Sequence, residues 1–310
     1  MRAMTAPVSL PLSPGLQAVT LPVLPRRPRD SHKGDYGTVL VVAGSRRYPG
    51  AAILAALGAG RAGAGLVQIA LPESLVPLVV PAVPFATVLP CPQTADGGFA
   101  LAAADSLRSA AAHATAVVLG PGLGTEAETG RLLVRLLRDV HRPLVLDADA
   151  LNLLAALGDE PLAARRAATE APTVLTPHPG EFARLTGGAK PQAEQRLPQA
   201  ARWAQQHGAI VVLKGAGTVV TDGRRAWVEP AGNPGMATGG MGDVLAGVLG
   251  ALLAVPQSLP DPLAAAALAV HAHAAAGDAA AAALGEAGVL PEDVARRVGK
   301  ALELRAAPDR

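Results

Sequence analysis

A single α/β domain built on a largely parallel sheet is the fold class the sequence predicts, and three observations lead there. Short runs rich in Val, Ile and Leu alternate with longer helical stretches along most of the chain. These runs are apolar throughout, which marks strands buried on both faces by helices. Nearly every run ends in a turn bearing Gly, Asp, His or Lys, as expected where the carboxyl ends of parallel strands meet a ligand.

Taken in order, residues 1–30 hold six prolines and read as an N-terminal extension with little regular structure, leaving 31–310 as one folded domain. TVLVV at 38–42 is a buried strand that ends in Ala43-Gly44-Ser45. A small-residue helix over 50–62 and a strand over 66–70 follow. Helix 101–112 leads to strand 116–119, which runs into Gly120-Pro-Gly-Leu-Gly124. Helix 126–139, strand 143–147 and helix 149–157 come next, then strand 173–176, which ends at Pro177-His-Pro-Gly-Glu181. Helix 192–207 precedes strand 209–213 and two further β runs at 217–221 and 225–229. A glycine-rich loop over 232–242 and helices at 243–254, 262–284 and 291–304 complete the chain.

Composition excludes several function classes. Hydrophobic residues are 50% and aromatics only 2%, so the core must be built from Ala, Val and Leu. A formal charge of +2 with so few aromatics argues against a nucleic-acid surface. One cysteine, Cys91, rules out an internal disulfide and any multi-cysteine metal site; a buried hydrophobe is its ordinary reading. The prolines of 1–30 leave no unbroken apolar signal region. Val244 to Val255 is apolar for 12 residues only, short of the ~20 that span a bilayer. The longer stretch 262–284 is interrupted by His271, His273 and Asp278. A cytoplasmic protein without a membrane partner is the expectation.

Five turns, at 43–45, 120–124, 147–149, 176–181 and 214–218, fall at strand ends and predict a ring of loops on one edge of the sheet. The strongest segment is Asn233-Pro-Gly-Met-Ala-Thr-Gly-Gly-Met-Gly-Asp243. It enters an apolar helix, where unpaired backbone N–H groups and the positive end of the helix dipole favour an anion. Gly239, Gly240 and Gly242 let that anion approach the main chain. Asp243 reads either as an N-cap or as a base that takes a proton from a hydroxyl while a phosphoryl group is transferred.

Lys214-Gly215-Ala216-Gly217-Thr218 offers a point charge, amides and a hydroxyl to phosphates, or is a hairpin turn with a solvated lysine. Lys33-Gly-Asp-Tyr-Gly37 either closes over a ligand or merely starts the sheet. His178, bracketed by prolines, faces a ligand or satisfies local backbone. Glu181 is a first-turn carboxylate or a water-mediated partner of Mg2+. Asp147, Asp149 and Asn152 divide in the same way, one aspartate serving as helix cap. His271 and His273, two apart on a helix and without a carboxylate partner, are read as structural.

These residues carry a resemblance. KGDYGTVLVVAGS, PGAAILAALGAGRAGAGLV, GPGLG, LDADALN, LTPHPGEFARLTG, LKGAGT and NPGMATGGMGDVLAG together resemble the NAD(P)H-hydrate dehydratase family over about residues 31–304. That family lies within the ribokinase-like group, so the resemblance implies a three-layer α/β/α fold with a mostly parallel central sheet and a single catalytic domain over 31–310. Kinases of that group carry Asn where this chain has His178, which favours the dehydratase over a small-molecule kinase acting on a vitamin-precursor hydroxyl. A nucleotide-binding sensor without turnover fits an intact Asp243 poorly.

The resemblance implies an ADP- or ATP-dependent lyase that returns the S epimer of hydrated NADH or NADPH to the reduced cofactor. On that substrate Asp243 is assigned as the base on the ring hydroxyl, and by the family's pattern Ala52, Gly122 and His178 stand with it beside the hydrated cofactor. Lys214, Gly215, Ala216, Gly217, Thr218 and Gly242 meet the nucleotide, and Gly239, Gly240 and Gly242 form an anion hole. Mg2+ on the phosphates is expected from phosphoryl-transfer chemistry, with Glu181 as its outer-shell partner, and the resemblance implies a homotetramer. With only 30 residues before the domain, the chain resembles the stand-alone form, which would work with a separate epimerase. ADP is preferred over ATP only by likeness to bacterial stand-alone members, and no arginine can be assigned to a 2′-phosphate.

Overall fold

The computed structural model describes residues 15–306. Its strands are β1 (Gln17–Ala18), β2 (Thr38–Val42), β3 (Leu66–Pro72), β4 (Thr87–Cys91), β5 (Ala116–Leu119), β6 (Leu144–Leu146), β7 (Thr173–Leu175), β8 (Ile210–Leu213), β9 (Val219–Thr221) and β10 (Arg225–Val228). They form one sheet in the order β1-β10-β9-β8-β7-β6-β5-β2-β3-β4. Every pairing is parallel except the two made by β9. The expected fold class therefore holds.

The helices are α1 (Pro49–Arg61), α2 (Val76–Val79), α3 (Ala104–His113), α4 (Ala127–Asp139), α5 (Asp149–Leu157), α6 (Glu160–Ala168), α7 (Pro179–Thr186), α8 (Ala193–His207), α9 (Met241–Leu253), α10 (Pro262–Leu284) and α11 (Pro291–Glu303). Strand residues alternate between two cores, as a period of two requires. Val39, Val41, Val118, Val145 and Val212 face α1, α9, α10 and α11. Leu40, Val42, Val117, Leu146 and Leu213 face the layer that includes α3, α4, α5 and α8.

With few aromatics, the first core is dense because its helices touch backbone to backbone. A Cβ on Gly58 of α1 would fall 2.2 Å from the Val244 carbonyl oxygen. One on Gly247 of α9 would fall 2.0 Å from that of Ala55. The small residues of both helices thus fix where α9 begins, and α9 carries Asp243.

Several expectations are corrected. Of the N-terminal extension expected over 1–30, residues 1–14 lie outside the described residues, and 15–30 do not stand apart from the domain. Gln17–Ala18 pairs with β10, and Val19 and Leu21 are buried in the core. β4 carries no clear strand signal because Pro90 lies within it; an edge strand tolerates proline, having only β3 as partner. α6 is hidden in the sequence because two arginines crowd its short span. One of them, Arg165, is only 1% exposed and donates to Thr173 Oγ1 and to the carbonyls of Val140 and Arg142. Lys33–Tyr36 is a 3₁₀ turn that enters the amino end of β2, so it starts the sheet and lies away from the loop ring. Cys91 is buried as expected, which pushes its thiol up to about 11 and makes it inert.

Candidate functional site

Parallel β8, β7, β6, β5 and β2 are consecutive neighbours, so the loops after them share one edge of the sheet. These are the five predicted turns, and the ring is real. β6 and β7 supply its centre. Asp147, directly after β6, is 1% exposed and accepts from Thr176 Oγ1 at 2.5 Å and from Lys214 Nζ at 2.8 Å. Lys214, after β8, also lies 3.9 Å from Glu181 Oε2. Burial works against its ammonium, but Asp147, Glu181 and Asp243 together hold its pKa above the usual value. The solvated-lysine reading is thereby overturned: this cation is the counter-ion of a carboxylate nest.

The rest of the 214–218 loop is a hairpin between β8 and antiparallel β9. The Thr218 hydroxyl is turned back on it, donating to the Gly215 carbonyl at 2.9 Å and accepting from Gly215 N. Arg196 of α8, which sequence reasoning passes over, donates to the carbonyls of Leu213, Lys214 and Ala216. Those bonds fix the loop from below while Gly215, Ala216 and Gly217 stay at the surface.

Neither aspartate of the 147–149 turn caps α5. Its N-cap is Ala148, at φ 50, the one non-glycine among the described residues with positive φ. This unusual backbone turns Asp149 toward the Gly122–Gly124 loop, where it accepts from Gly124 N at 3.0 Å. Asn152 links Asp149 to Arg184. Gly122 itself packs against Tyr48 and Ala51 at the start of α1. Ala52 is fully buried, its methyl behind the surface of the site and against Gly44.

His178 is the N-cap of α7. Its Nδ1 accepts from Gly180 N at 3.0 Å and Glu181 N at 3.2 Å, while Glu181 Oε2 accepts from His178 N at 2.8 Å. This reciprocal arrangement is a capping box, so both residues serve local backbone. An accepting Nδ1 leaves the ring proton on Nε2, which lies 3.4 Å from Glu181 Oε1 on a half-exposed ring. Burial, Lys214 and Arg184 lower the His178 pKa, and burial raises that of Glu181.

A protonated His178 could not accept these two bonds. Because its pKa is lowered on folding, the stabilisation is complete above the ordinary value near 6.5 and is lost as pH falls. His178→Ala is expected to lose about 1 kcal/mol at pH 8, and His178→Asn to stay within about 0.5 kcal/mol of the parent, since Asn also caps. Urea unfolding at pH 8 and pH 5 checks this: the gap between parent and Ala variant should shrink at pH 5.

The glycine loop meets this nest at the start of α9. Gly240 is the N-cap, at φ 93, and a Cβ there would fall 2.5 Å from Leu54 Cδ1. Asp243 is therefore the third residue of the helix and makes no cap hydrogen bond, which removes the N-cap reading. Burial first, then the Asp147 charge, pushes its carboxyl up to about 7. A Cβ on Gly242 would lie 3.0 Å from Lys214 Nζ and 3.7 Å from Asp147 Oδ2, so the loop's end touches the nest. Thr238 and Gly239 are exposed, with open space around Gly239. The arrangement joins a carboxyl pushed up to about 7, a helix N-terminus and a largely buried ammonium at one open edge.

Sequence reasoning also misses a carboxylate for His271. Its Nδ1 lies 3.3 Å from Glu229, which is 2% exposed and accepts from Trp227 Nε1 and Ala231 N. His273 is buried, and burial lowers its pKa to about 4, so it is neutral and structural as read. Among the described residues no three acidic, histidine or cysteine side chains converge to hold a metal ion by themselves. No helix there is long and apolar enough to cross a membrane.

A family profile described as NAD(P)H-hydrate dehydratase matches residues 39–300. The bifunctional NAD(P)H-hydrate repair enzyme Nnr of Gloeobacter violaceus is 48% identical over 253 residues, 81% of this chain and 47% of that protein. The chain thus spans about half the length of the bifunctional relatives it matches. The ADP-dependent (S)-NAD(P)H-hydrate dehydratase of Lactiplantibacillus plantarum is 37% identical over 290 residues, covering 91% of this chain and 95% of that one. The ADP/ATP-dependent NAD(P)H-hydrate dehydratase of Bacillus subtilis, co-crystallised with ATP/Mg2+, is similar in structure at a TM-score of 0.74 and 31% identity, covering 93% and 100%. A ribokinase-like superfamily protein of Enterococcus faecalis gives 0.76 at 28% identity, covering 92% and 93%.

Proposed function

Because this chain belongs to the NAD(P)H-hydrate dehydratase family, we propose that it returns hydrated NADH or NADPH to the reduced cofactor, consuming ADP or ATP to drive out the added water. The substrate is the S epimer, hydroxylated on the ring carbon next to the nitrogen. The observation that carries the reading is Asp243: a carboxyl with no cap hydrogen bond, pushed up to about 7, on the first turn of α9 beside the glycine loop.

Hydroxide leaves poorly at neutral pH, so the hydroxyl must first be converted into a better leaving group. Asp243 takes the hydroxyl proton, and the oxygen attacks the terminal phosphorus of the nucleotide, leaving AMP or ADP. Amides of Gly239, Gly240 and Gly242 hold the transferring phosphoryl group. The ring nitrogen lone pair then breaks the carbon–oxygen bond and expels inorganic phosphate. Loss of a proton from the adjacent ring carbon to solvent restores the double bond. Ala52 and Gly122, both buried, back the ring's side of the site from behind its surface, and the half-exposed His178 ring offers its Nε2–H there. Gly215, Ala216, Gly217 and Thr218 cover the nucleotide, with Lys214 acting through the nest.

The donor set here is hard oxygen, with Asp147, Glu181 and Asp243 around Lys214 and Asp149 on the far side of Asp243, and it fits Mg2+ that arrives on the nucleotide better than a protein-held ion. Such an ion would neutralise phosphate charge, with Glu181 reaching it through water. The same reading has the protein work in the cytoplasm as a homotetramer supplied by a separate epimerase. Exposed Leu78, Val80 and Phe85 offer an apolar face for association.

The test is to give hydrated NADH, Mg2+ and ADP or ATP to the protein and follow the reduced-nicotinamide absorbance. The absorbance should return only with nucleotide present. A phosphorylated product that keeps its phosphate would instead make the protein a small-molecule kinase of the same fold.

A further inference from the structure

We propose that Asp278 is a positioning residue for the glycine loop, acting through Asn233. The inference rests on the reading of that loop as the phosphoryl holder. Asp278, on α10, accepts from Gly232 N at 3.0 Å with Oδ2 and from Asn233 Nδ2 at 2.9 Å with Oδ1. The other end of the Asn233 amide, Oδ1, accepts from Gly235 N at 3.0 Å and caps the Pro234–Met236 turn. Gly277 leaves a notch beside Asp278 that Met236 fills; a Cβ there would fall 2.2 Å from the sulfur. Gly235 abuts the Glu286 carbonyl, which a Cβ would approach to 2.4 Å.

Residues 232–236 are thereby held on and beside α10 by two hydrogen bonds to Asp278 and two close contacts, and braced from inside by the Gly235–Asn233 bond. Gly240 is fixed at the other end, against Leu54 and Pro291. Between these anchors Ala237, Thr238 and Gly239 reach the surface. The direction of the amides that would hold phosphate is therefore set by the anchors. Asp278 is one of them, and it touches none of the proposed reacting groups.

The bonds have a polarity that can be exchanged. In Asp278→Asn, the new amide nitrogen faces the Asn233 nitrogen, donor against donor. In Asn233→Asp, two carboxylates face each other. In the double variant, the new amide at position 278 accepts from Gly232 N and donates to the new carboxylate at position 233. The second oxygen of that carboxylate still caps Gly235 N. All three bonds return.

The experiment measures kcat, nucleotide KM, ADP affinity by calorimetry and melting temperature for the parent, both single variants and the double variant. Each single variant is expected to lose about 10- to 100-fold in kcat through misplacement of the loop, with weaker ADP binding. The double variant should return to within about threefold of the parent. Should one single variant not fold, the other and the double variant decide. Single variants within threefold of the parent, or a double variant no better than the worse single, overturn the proposal. A kcat loss that tracks melting temperature alone, without rescue, also overturns it. A parent that binds ADP but recovers no reduced nicotinamide fails the dehydration reading, and the order of the four ADP affinities then decides Asp278. A parent that binds no ADP removes both.

Discussion

Asp243→Asn is expected to lose turnover by a factor of about 10²–10⁴, the range for removal of a general base, or roughly 3–5 kcal/mol of transition-state stabilisation. It should also be the more stable protein at pH 8. The carboxyl is pushed up to about 7 by burial and by Asp147, whereas an unfolded chain holds it near 3.9. A carboxyl whose pKa is raised on folding contributes stability that is complete below about pH 4 and lost as pH rises through about 7. The Asn variant carries no such loss, so its gain at pH 8 is on the order of 1–3 kcal/mol and vanishes near pH 4. kcat/KM of the parent should rise with pH through about 7, as Asp243 loses its proton. Urea unfolding at both pH values and the recovery rate on one preparation check this. A variant within threefold of the parent rate would dismiss Asp243 as the base.

Lys214→Met carries the largest expected cost in stability. It leaves Asp147, 1% exposed, with only the Thr176 hydroxyl at its Oδ1. Removing one partner of a buried ion pair typically costs about 3–5 kcal/mol. The pKa of Lys214 is raised on folding, so this contribution is present throughout the neutral range and is lost only as pH climbs past the ordinary lysine value. Asp147→Asn combined with Lys214→Met should recover part of the loss, because the most deeply buried carboxylate of the nest is then neutral and only Glu181 and Asp243 are left without the cation. Unfolding of the four proteins of the cycle measures the coupling. A Lys214→Met protein within about 1 kcal/mol of the parent, with only its nucleotide KM raised, would make Lys214 a direct phosphate ligand and not the centre of the nest.

Much of this site was legible because parallel strands announce their carboxyl ends in sequence. LDADALN, LTPHPGE and LKGAGT each close an apolar run, and topology places β6, β7 and β8 side by side. What could not be read was pairing across long separations. Lys214 and Asp147 are 67 residues apart, and the Glu229 partner of His271 is 42 residues away. No local pattern encodes either. The start of α9 is ambiguous for a different reason: with glycine at 239, 240 and 242, propensity does not say which residue takes the left-handed cap, and Leu54 and Pro291 decide it. Arg165 and Arg196 escape a sequence reading because arginine in a helix ordinarily faces water. Here both turn inward onto backbone carbonyls, where several charge-assisted hydrogen bonds offset burial.

In this mechanism phosphoryl transfer to the ring hydroxyl drives its departure, so the stoichiometry of the reaction is the decisive quantity. Hydrated NADH of the S form, ADP or ATP and Mg2+ are mixed with the protein, and reduced nicotinamide, inorganic phosphate and the shortened nucleotide are counted in the same sample. One of each should form per turnover, and none of the three when nucleotide is withheld. Nicotinamide recovered without nucleotide consumption, or nucleotide consumed without nicotinamide recovered, would contradict the mechanism.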